Sequence, residues 1–177
     1  MSLELIIGPM FSGKSTKLIH KIQLARSIYK KVIVIKPSIE TRYGEDKIFS
    51  HSLQSEICLS SSYLQTFDND IHLFDLIVID EGQFFPDLKK YVLKWVENDK
   101  KNVLVGGLDG DSERNPFGQI LDLIPYSDKV KKLSSYCKLC NNGTLAIFTK
   151  RLIPHDEQIQ VGGSNIYMPL CRKHYLE

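Results

Sequence analysis

The chain contains a loop whose residue types and spacing suit the binding of phosphate groups. Residues 8–15 read GPMFSGKS and match the pattern G-x-x-x-x-G-K-[ST]. Its glycines permit a tight turn with backbone N–H groups facing a phosphate, and the helix that follows adds the positive end of its dipole. Lys14 is expected to contact the β- and γ-phosphates, and Ser15 to offer its hydroxyl to Mg²⁺. The residues expected to bind the nucleotide are Gly8, Pro9, Met10, Phe11, Ser12, Gly13, Lys14, Ser15 and Thr16.

A pair of carboxylates follows a second apolar segment. Asp80 and Glu81 end the run LIVIDE, and the carboxyl ends of strands form the edge at which open α/β sheets bind ligands. Asp80 suits the binding of Mg²⁺, either directly or through a water molecule. This is the usual task of the acid that ends this strand in phosphate-loop enzymes. Glu81 is then free to accept the proton of an attacking hydroxyl. On the pattern alone, Glu81 could instead be a solvated charge, or orient water in a nucleoside triphosphatase.

Two clusters near the C-terminus have the spacing of metal ligands. They are Cys137-Lys-Leu-Cys140 and Cys171-Arg-Lys-His174, and their two-residue gaps let neighbouring ligands share one ion. Three thiolates and one imidazole suit tetrahedral Zn²⁺, and because they fill the tetrahedron the zinc is expected to be structural. It would close a lobe that is too small to have much apolar core of its own. The alternative is a coincidental clustering that binds nothing.

The elements that must position these groups follow an α/β pattern. Apolar strands are predicted at 3–7, 32–35, 76–79 and 103–105, and helical periodicity at 15–28 and 88–96. Strand, helix, strand succession indicates crossover units and a parallel sheet. Long loops around a short strand at 56–59 are expected between 37 and 74. The predicted fold is α/β, with a phosphate-loop domain over 1–130 and a small zinc-binding lobe over 131–177.

Composition limits the remaining possibilities. The 177 residues allow one sizeable domain with a small lobe. With 23 basic and 21 acidic side chains the formal charge is only +2, which argues against a polynucleotide partner. No apolar run approaches the roughly 20 residues needed to cross a bilayer, and the N-terminus lacks the features of an export signal. A soluble protein without a membrane partner, in a reducing and cytoplasmic location, is therefore expected.

Several motifs together resemble one known family. In order and spacing, GPMFSGKST, ETRYG, DEGQFFPD, LDG followed by NPFG, TKRL, VGG and CRKHY are similar to the zinc-containing thymidine kinases along nearly the whole chain. The resemblance implies transfer of the γ-phosphoryl group of ATP to the 5′-hydroxyl of thymidine or deoxyuridine. It implies that Glu81 is the catalytic base and that Arg42 contacts phosphate near the transition state. The small lobe then resembles a lasso-shaped lid over the nucleoside, and a homo-tetramer is implied.

The resemblance also implies how the nucleoside is bound. The residues similar to those that enclose the thymine ring are Met10, Phe84, Leu108, Phe117, Thr149 and Tyr167, with the backbone of Val161, Gly162 and Gly163 at the base edge. Two positions depart from the family pattern. Asp111 and Ser112 follow LDG where many relatives have an aromatic residue at the second position, which predicts a smaller or more polar wall. His174 stands where some relatives have cysteine, and both residues bind zinc.

Two interpretations outside the kinases stay open from the residues alone. A phosphate-loop ATPase could use hydrolysis to drive a conformational change without a nucleoside acceptor. A zinc-ribbon module could bind nucleic acid, although the lobe lacks a dense basic and aromatic face, and its lysines at 129, 131 and 132 are more simply solvated.

Overall fold

The computed structural model of the protein describes residues 1–28, 30–40, 47–49, 55–153 and 158–177. Its strands are β1 (Ser2–Ile7), β2 (Val32–Pro37), β3 (Lys47–Phe49), β4 (Ser55–Ile57), β5 (Leu59–Ser61), β6 (Leu76–Ile79), β7 (Asn102–Gly107), β8 (Lys129–Lys132), β9 (Ser135–Tyr136), β10 (Leu145–Ala146), β11 (Phe148–Arg151) and β12 (Tyr167–Leu170). Its α-helices are α1 (Lys14–Ser27), α2 (Leu88–Leu93) and α3 (Arg172–Leu176). Short 3₁₀ turns lie at Leu64–Phe67, Ile71–Leu73, Gly82–Phe84 and Leu121–Tyr126.

A six-stranded parallel sheet forms the centre of the structure, in the order β5-β2-β6-β7-β1-β8. Strand β1 lies between β7 and β8, with Leu5 opposite Val105 on one side and Val130 on the other. Its side chains alternate between the two faces, so that Leu5 and Ile6 enter different apolar cores. Apolar runs of this kind suit strands that are covered on both faces. The predicted α/β fold with a central parallel sheet is confirmed.

Helices cover the two faces of this sheet. The buried side chains of α1 recur at three- and four-residue spacing; its apolar ones are Leu18, Ile19, Ile22 and Ala25. They pack on one face against strand residues such as Val34 and Leu104. On the other face, Leu88 of α2 and Trp95 belong to the larger core. None of the described helices is long and apolar enough to span a bilayer.

Two predicted elements differ in detail from the observed ones. The helix predicted at 88–96 is α-helical only to Leu93 and continues as a π turn at Lys94–Asn98. The strand predicted at 56–59 is divided into β4, which pairs antiparallel with β3, and β5, which joins the edge of the central sheet. The division falls at Cys58, which is buried while its neighbours on both sides are exposed. At this residue the chain changes its pairing partner from β3 to β2.

The small lobe is built from two antiparallel pairs. Strand β9 pairs with β10 and β11 with β12, and α3 follows β12 directly. Its apolar cluster is small and contains Cys137, Ala146, Leu170 and Cys171. Strand β8 spans the predicted domain boundary at residue 130 and belongs to the central sheet, so the lobe's own pairs begin at Ser135. Residues 133–177, which follow β8, are the lasso lobe.

Candidate active site

The phosphate loop connects the carboxyl end of β1 to α1. Gly8 and Gly13 have φ angles of 145° and 81°, which residues with a side chain rarely adopt. Lys14 is buried, and its ammonium group donates a hydrogen bond to the carbonyl oxygen of Pro9 at 2.8 Å. The Ser12 hydroxyl donates to the same oxygen, also at 2.8 Å. The loop is therefore closed on itself at the N-terminus of α1, where backbone N–H groups are free of helical partners.

The acidic end of β6 meets this loop. The Ser15 hydroxyl donates to Asp80 Oδ2 at 3.4 Å, although β6 and β1 are separated in the sheet by β7. The two groups singled out in the sequence thus lie together at the carboxyl edge of one sheet. Hydroxyl and carboxylate oxygens are the ligands that Mg²⁺ prefers, so Ser15 and Asp80 have the chemistry to hold that ion.

The carboxyl group of Asp80 lies in a buried and negatively charged environment. Burial raises its pKa to about 7, the neighbouring charges of Glu81 and Glu40 contribute to the increase, and a hydrogen bond from the Glu81 N–H and the charge of Lys14 oppose it. A divalent cation bound there would favour the ionised form of the carboxylate. The site is therefore one in which added positive charge is stabilising.

Glu81 is held in an unusual backbone conformation with its carboxylate oriented by a neighbour. Its φ of 50° is in the left-handed region, where a residue with a side chain is uncommon. Gln83 is buried, and its amide nitrogen donates to Glu81 Oε2 at 2.7 Å. The amide oxygen of Gln83 accepts from the backbone N–H of Leu108 at 2.9 Å. Both ends of the Gln83 amide are thus used to fix Glu81 against the loop that follows β7.

A pocket lies between Glu81 and the lasso lobe. Eight of the nine residues expected to enclose the base line it, and they are Met10, Phe84, Leu108, Phe117, Thr149, Val161, Gly162 and Tyr167. Gly163 is not among the lining residues. The rings of Phe84 and Phe117 pack edge to face with centroids 5.3 Å apart, while Phe85 belongs to the core. Of the two aromatic residues that come after Asp80 and Glu81, the first therefore lines the pocket and the second belongs to the core.

Cavities of different size lie beside the phosphate loop, and two of them have the positions expected for the substrates. The pocket beside Glu81 has a volume of about 40 Å³, which is room for about three waters at roughly 10–15 Å³ each. A larger cavity of about 810 Å³ is lined by Phe11, Gly13 and Thr16 of the loop and by Tyr136 and Met168 of the lasso lobe. The two cavities share Tyr167 as a lining residue. The larger one has the size of a small-molecule site, whereas the smaller one must widen to admit a nucleoside.

Seven polar residues also line the pocket, and only two of them are at positions for which the sequence predicts a polar wall. They are Glu40, Gln83, Asp111, Ser112, Arg151, Gln158 and Gln160. Only Asp111 and Ser112 had been singled out, as departures from a family pattern. Glu40 opens the ETRYG motif, but Arg42 of that motif lies outside the described residues. These polar residues come from four segments of the chain, at 40, 83, 111–112 and 151–160, which are far apart in the sequence.

Asp111 connects the loop after β7 to the lasso lobe. Its carboxylate accepts hydrogen bonds from the backbone N–H groups of Glu113 and Asn115 at 2.9 and 2.8 Å, and from the Gln158 amide at 2.7 Å. Burial alone would raise the pKa of Asp111, but hydrogen bonds from Gln158, Asn115 and Glu113 outweigh it and lower the pKa. The carboxylate is therefore charged and fully engaged at neutral pH.

Two further hydrogen bonds join the lasso lobe to the rest of the site. The backbone N–H of Met10 in the phosphate loop donates to the Thr149 hydroxyl at 3.0 Å. The Tyr175 hydroxyl donates to the carbonyl oxygen of Ser112. The lobe is thus attached both to the phosphate loop and to the loop that carries Asp111.

The four predicted metal ligands converge in the lasso lobe. The sulfurs of Cys140 and Cys171 are 3.8 Å apart, and His174 Nδ1 lies 3.4, 3.3 and 3.5 Å from the sulfurs of Cys137, Cys140 and Cys171. A tetrahedron with zinc–sulfur distances of about 2.3 Å has sulfur–sulfur edges of about 3.8 Å, and sulfur–nitrogen edges of about 3.5 Å. The donor set therefore has the dimensions and chemistry of a structural zinc site.

The environment of Cys137 favours the form that binds zinc. Burial alone would raise its pKa, but hydrogen bonds from backbone N–H groups of Cys171 and Cys140 and from His174 outweigh it and lower the pKa to about 6. The thiolate is the ligand form of cysteine. In this cluster the lower pKa belongs to Cys137, while burial and the neighbouring thiols raise the pKa of Cys140.

Comparison with known proteins agrees with these features. The thymidine kinase family profile matches residues 1–175. The thymidine kinase of Oryza sativa subsp. japonica is 40% identical over 99% of this chain, which spans 66% of that relative, just under two thirds of its length. Thymidine kinase a of Arabidopsis thaliana is 41% identical, with 99% and 75% covered, and the vaccinia virus (strain Western Reserve) thymidine kinase is 40% identical, with 99% and 97% covered. The chain therefore belongs to the thymidine kinase family of enzymes.

Proposed function

We propose that this protein transfers the γ-phosphoryl group of ATP to the 5′-hydroxyl of thymidine or deoxyuridine. The observation that carries the proposal is the 3.4 Å contact between Ser15 and Asp80, next to Glu81 at the wall of a pocket. It supports a reaction between a triphosphate on the loop and a sugar alcohol in the pocket, because both reach the same edge of the sheet. The relatives named thymidine kinases support the choice of acceptor.

Glu81 is the proposed general base. Its carboxylate takes the proton of the 5′-hydroxyl while that oxygen forms a bond to the γ-phosphorus. The bond from this phosphorus to the oxygen bridging the β- and γ-phosphates breaks, ADP leaves, and the proton passes from Glu81 to solvent. The hydrogen bond from Gln83 supports this role, since it limits the positions that the carboxylate can take.

The phosphate loop holds the donor in this proposal. Its backbone N–H groups and the Lys14 ammonium face the phosphates, and Arg42 contacts them near the transition state. Mg²⁺ held by Ser15 and Asp80 would neutralise charge on the phosphates. The cavity lined by Phe11, Gly13 and Thr16 has room for the adenosine part of ATP.

The lasso lobe acts as a lid. The pocket beside Glu81 is too small for a nucleoside, so we infer that the lobe moves outward to admit one and then closes. Closure excludes water, which would otherwise compete as phosphoryl acceptor. Zinc on Cys137, Cys140, Cys171 and His174 would keep the lobe folded during this movement. A homo-tetramer in the cytoplasm is part of the same proposal, and light scattering on the purified protein measures the subunit number.

Product analysis with Mg-ATP tests the proposed reaction. We expect thymidine 5′-monophosphate and ADP in equal amounts with thymidine, and little ADP without it. ADP release that is unaffected by thymidine, with no phosphorylated nucleoside, would identify an ATPase instead.

A substitution of Glu81 tests its role in that reaction. We expect Glu81→Gln to lower kcat by about 10²- to 10⁴-fold with nearly unchanged ATP binding, because the amide cannot take a proton. Glu97→Gln is the matched control, since Glu97 is exposed in the π turn at Lys94–Asn98. Near-normal turnover of Glu81→Gln would remove Glu81 from the mechanism.

A further inference from the structure

The C-terminal helix α3 contacts a wall of the small pocket that lies outside its own lobe. Tyr175, on α3, donates a hydrogen bond from its hydroxyl to the backbone carbonyl oxygen of Ser112. Ser112 is buried and lines the pocket. It belongs to a segment whose two ends pair as an isolated bridge between Gly110 and Pro116, and this segment is the 110–116 loop. The end of the chain thus holds a part of the pocket that is far away in the sequence.

A cation and two aromatic rings extend this contact. The guanidinium carbon of Arg114, in the 110–116 loop, lies 4.8 Å from the ring centroid of Tyr175 and 5.7 Å from that of Phe148. The centroids of the two rings are 5.0 Å apart, and Phe148 belongs to β11 of the lasso lobe. A guanidinium group over an aromatic ring is attracted to it. Arg114 therefore fastens the 110–116 loop to the same part of the lobe as the Tyr175 hydroxyl does.

The helix that carries Tyr175 also carries part of the candidate zinc site. Cys171 directly precedes α3, and His174 is the residue before Tyr175. The Tyr175 N–H donates to the carbonyl oxygen of Cys171 at 3.0 Å. The helix has only five residues and none of them is buried, so apolar packing stabilises it little. Zinc on Cys171 and His174 would fix this turn, and with it the direction in which the Tyr175 side chain leaves the helix.

We propose that Tyr175 is a positioning residue that couples the zinc site to the nucleoside pocket, by holding the 110–116 loop where Ser112 forms part of the wall. The inference rests on the proposed function, in which this pocket binds thymidine. Asp111, the neighbour of Ser112, is held separately by Gln158, so the contribution of Tyr175 can be removed alone. A metal that orders the wall raises the affinity for the nucleoside, and the nucleoside must then raise the affinity for the metal by the same factor.

Steady-state kinetics of Tyr175→Phe on the full chain test the positioning role. This substitution removes the hydroxyl and keeps a ring against Arg114 and Phe148. We expect the KM for thymidine to rise about fivefold, the net effect of one hydrogen bond, with kcat and the KM for ATP within about twofold of the wild type. The purified variant should keep its zinc, because its four ligands are unchanged. Tyr126→Phe is the matched control, since Tyr126 is an exposed tyrosine of the central domain.

A second substitution tests the same contact from the side of the loop. Arg114→Met removes the cation and leaves α3 and its ligands unchanged. We expect the KM for thymidine to rise about two- to fivefold, again with the zinc content and the KM for ATP unchanged. This variant tests the inference independently of any effect that Tyr175→Phe has on the folding of the helix.

Competition for zinc with a chelator, with and without saturating thymidine, tests the coupling itself. In the wild type we expect thymidine to increase the affinity for zinc. In Tyr175→Phe the ratio of the two zinc affinities should be about fivefold smaller than in the wild type, because the coupling is reciprocal. If Tyr175 only stabilised the metal cluster, its substitution would lower the zinc affinity equally with and without thymidine, and the KM for thymidine would not change.

The outcomes separate this inference from the proposed function. If the wild type phosphorylates thymidine while Tyr175→Phe and Arg114→Met keep its KM within about twofold, the inference alone is wrong. An unchanged ratio of zinc affinities in Tyr175→Phe, or an equal rise in the KM for ATP, would also overturn it, because either result indicates a structural role. A wild type that forms no nucleoside monophosphate overturns the proposed function and this inference together.

Discussion

The phosphate-loop domain and the lasso lobe form one site but are stabilised in different ways. The carboxylates Asp80 and Glu81 follow a strand at the middle of a six-stranded sheet, with an apolar core on each face. The lasso lobe has two short antiparallel pairs and an apolar cluster that contains two of the four predicted metal ligands, Cys137 and Cys171. Burial of apolar surface thus stabilises the first region, whereas the second has little apolar core and is proposed to depend on zinc coordination.

The junction between the two regions is polar. It includes the hydrogen bonds of Met10 with Thr149 and of Asp111 with Gln158. Individual hydrogen bonds of this kind contribute about 0.5–1.5 kcal/mol each, which is small beside the stability of a packed core. The groups proposed for phosphoryl transfer thus follow strands of the central sheet, whereas the wall proposed for nucleoside recognition is shared by both regions and is completed by the lobe that we propose opens.

Among the substitutions that test this comparison between the two regions, the largest effect is expected from loss of the metal. We expect Cys140→Ser to lose bound zinc and to lower nucleoside turnover by about 100-fold or more, because one wall of the pocket is no longer positioned. Binding of a non-hydrolysable ATP analogue should persist, since the phosphate loop belongs to the other region. Metal content, analogue binding and turnover measure these three quantities.

The matched control for the metal substitution is Cys58→Ala, which changes the cysteine outside the cluster. It should retain zinc and turnover. Full turnover of a zinc-free Cys140→Ser protein would contradict the dependence of the lasso lobe on its metal.

An intermediate effect is expected at the junction. Asp111→Asn replaces an acceptor-only carboxylate that receives hydrogen bonds from two backbone N–H groups and from Gln158. The new amide nitrogen would face a donor, so we expect the KM for thymidine to rise about tenfold. The KM for ATP and the zinc content should not change. Asp122→Asn, at an exposed position of a 3₁₀ turn, is the control variant. If Asp111→Asn raised the KM for ATP as much as the KM for thymidine, the role of Asp111 would not be confined to the lid.

The same difference between regions explains what sequence patterns could predict. GPMFSGKS, the apolar strands and the CxxC and CxxH pairs are local patterns, and the structure has a closed loop, a parallel sheet and four converging ligands at those positions. The polar wall of the pocket is not local. Gln83, Asp111 and Gln160 belong to segments that only the folded chain brings together, and a single glutamine has neither period nor motif. Tertiary structure alone reveals that Gln83 uses both ends of its amide, whereas the Oε1 of Gln160 is buried without a hydrogen-bond partner among the described residues.

The smallest expected effect is that of Asp68→Asn in the phosphate-loop domain, a substitution of the same kind as Asp111→Asn. Asp68 accepts hydrogen bonds from the Lys94 ammonium at 2.6 Å and the Trp95 indole at 2.9 Å. Burial alone would raise the pKa of Asp68, but these hydrogen bonds outweigh it, so its folded pKa lies below the ordinary value of 3.8. Because the pKa of Asp68 is lower in the folded state than in the unfolded state, its carboxylate stabilises the protein at pH values above the unfolded pKa. This contribution is lost as the pH falls through the folded pKa.

We therefore expect Asp68→Asn to lower the free energy of unfolding by only about 1 kcal/mol near neutral pH, because Lys94 is partly exposed and solvent screens its charge. The difference from wild type should shrink below about pH 4. Denaturant titrations at neutral pH and at about pH 3.5 measure it. Since Asp68 lines neither cavity, both KM values should stay unchanged. If Asp68→Asn raised the KM for thymidine as much as Asp111→Asn does, a loss of stability anywhere in the chain would impair nucleoside binding. The separate roles proposed for the two regions would then be wrong.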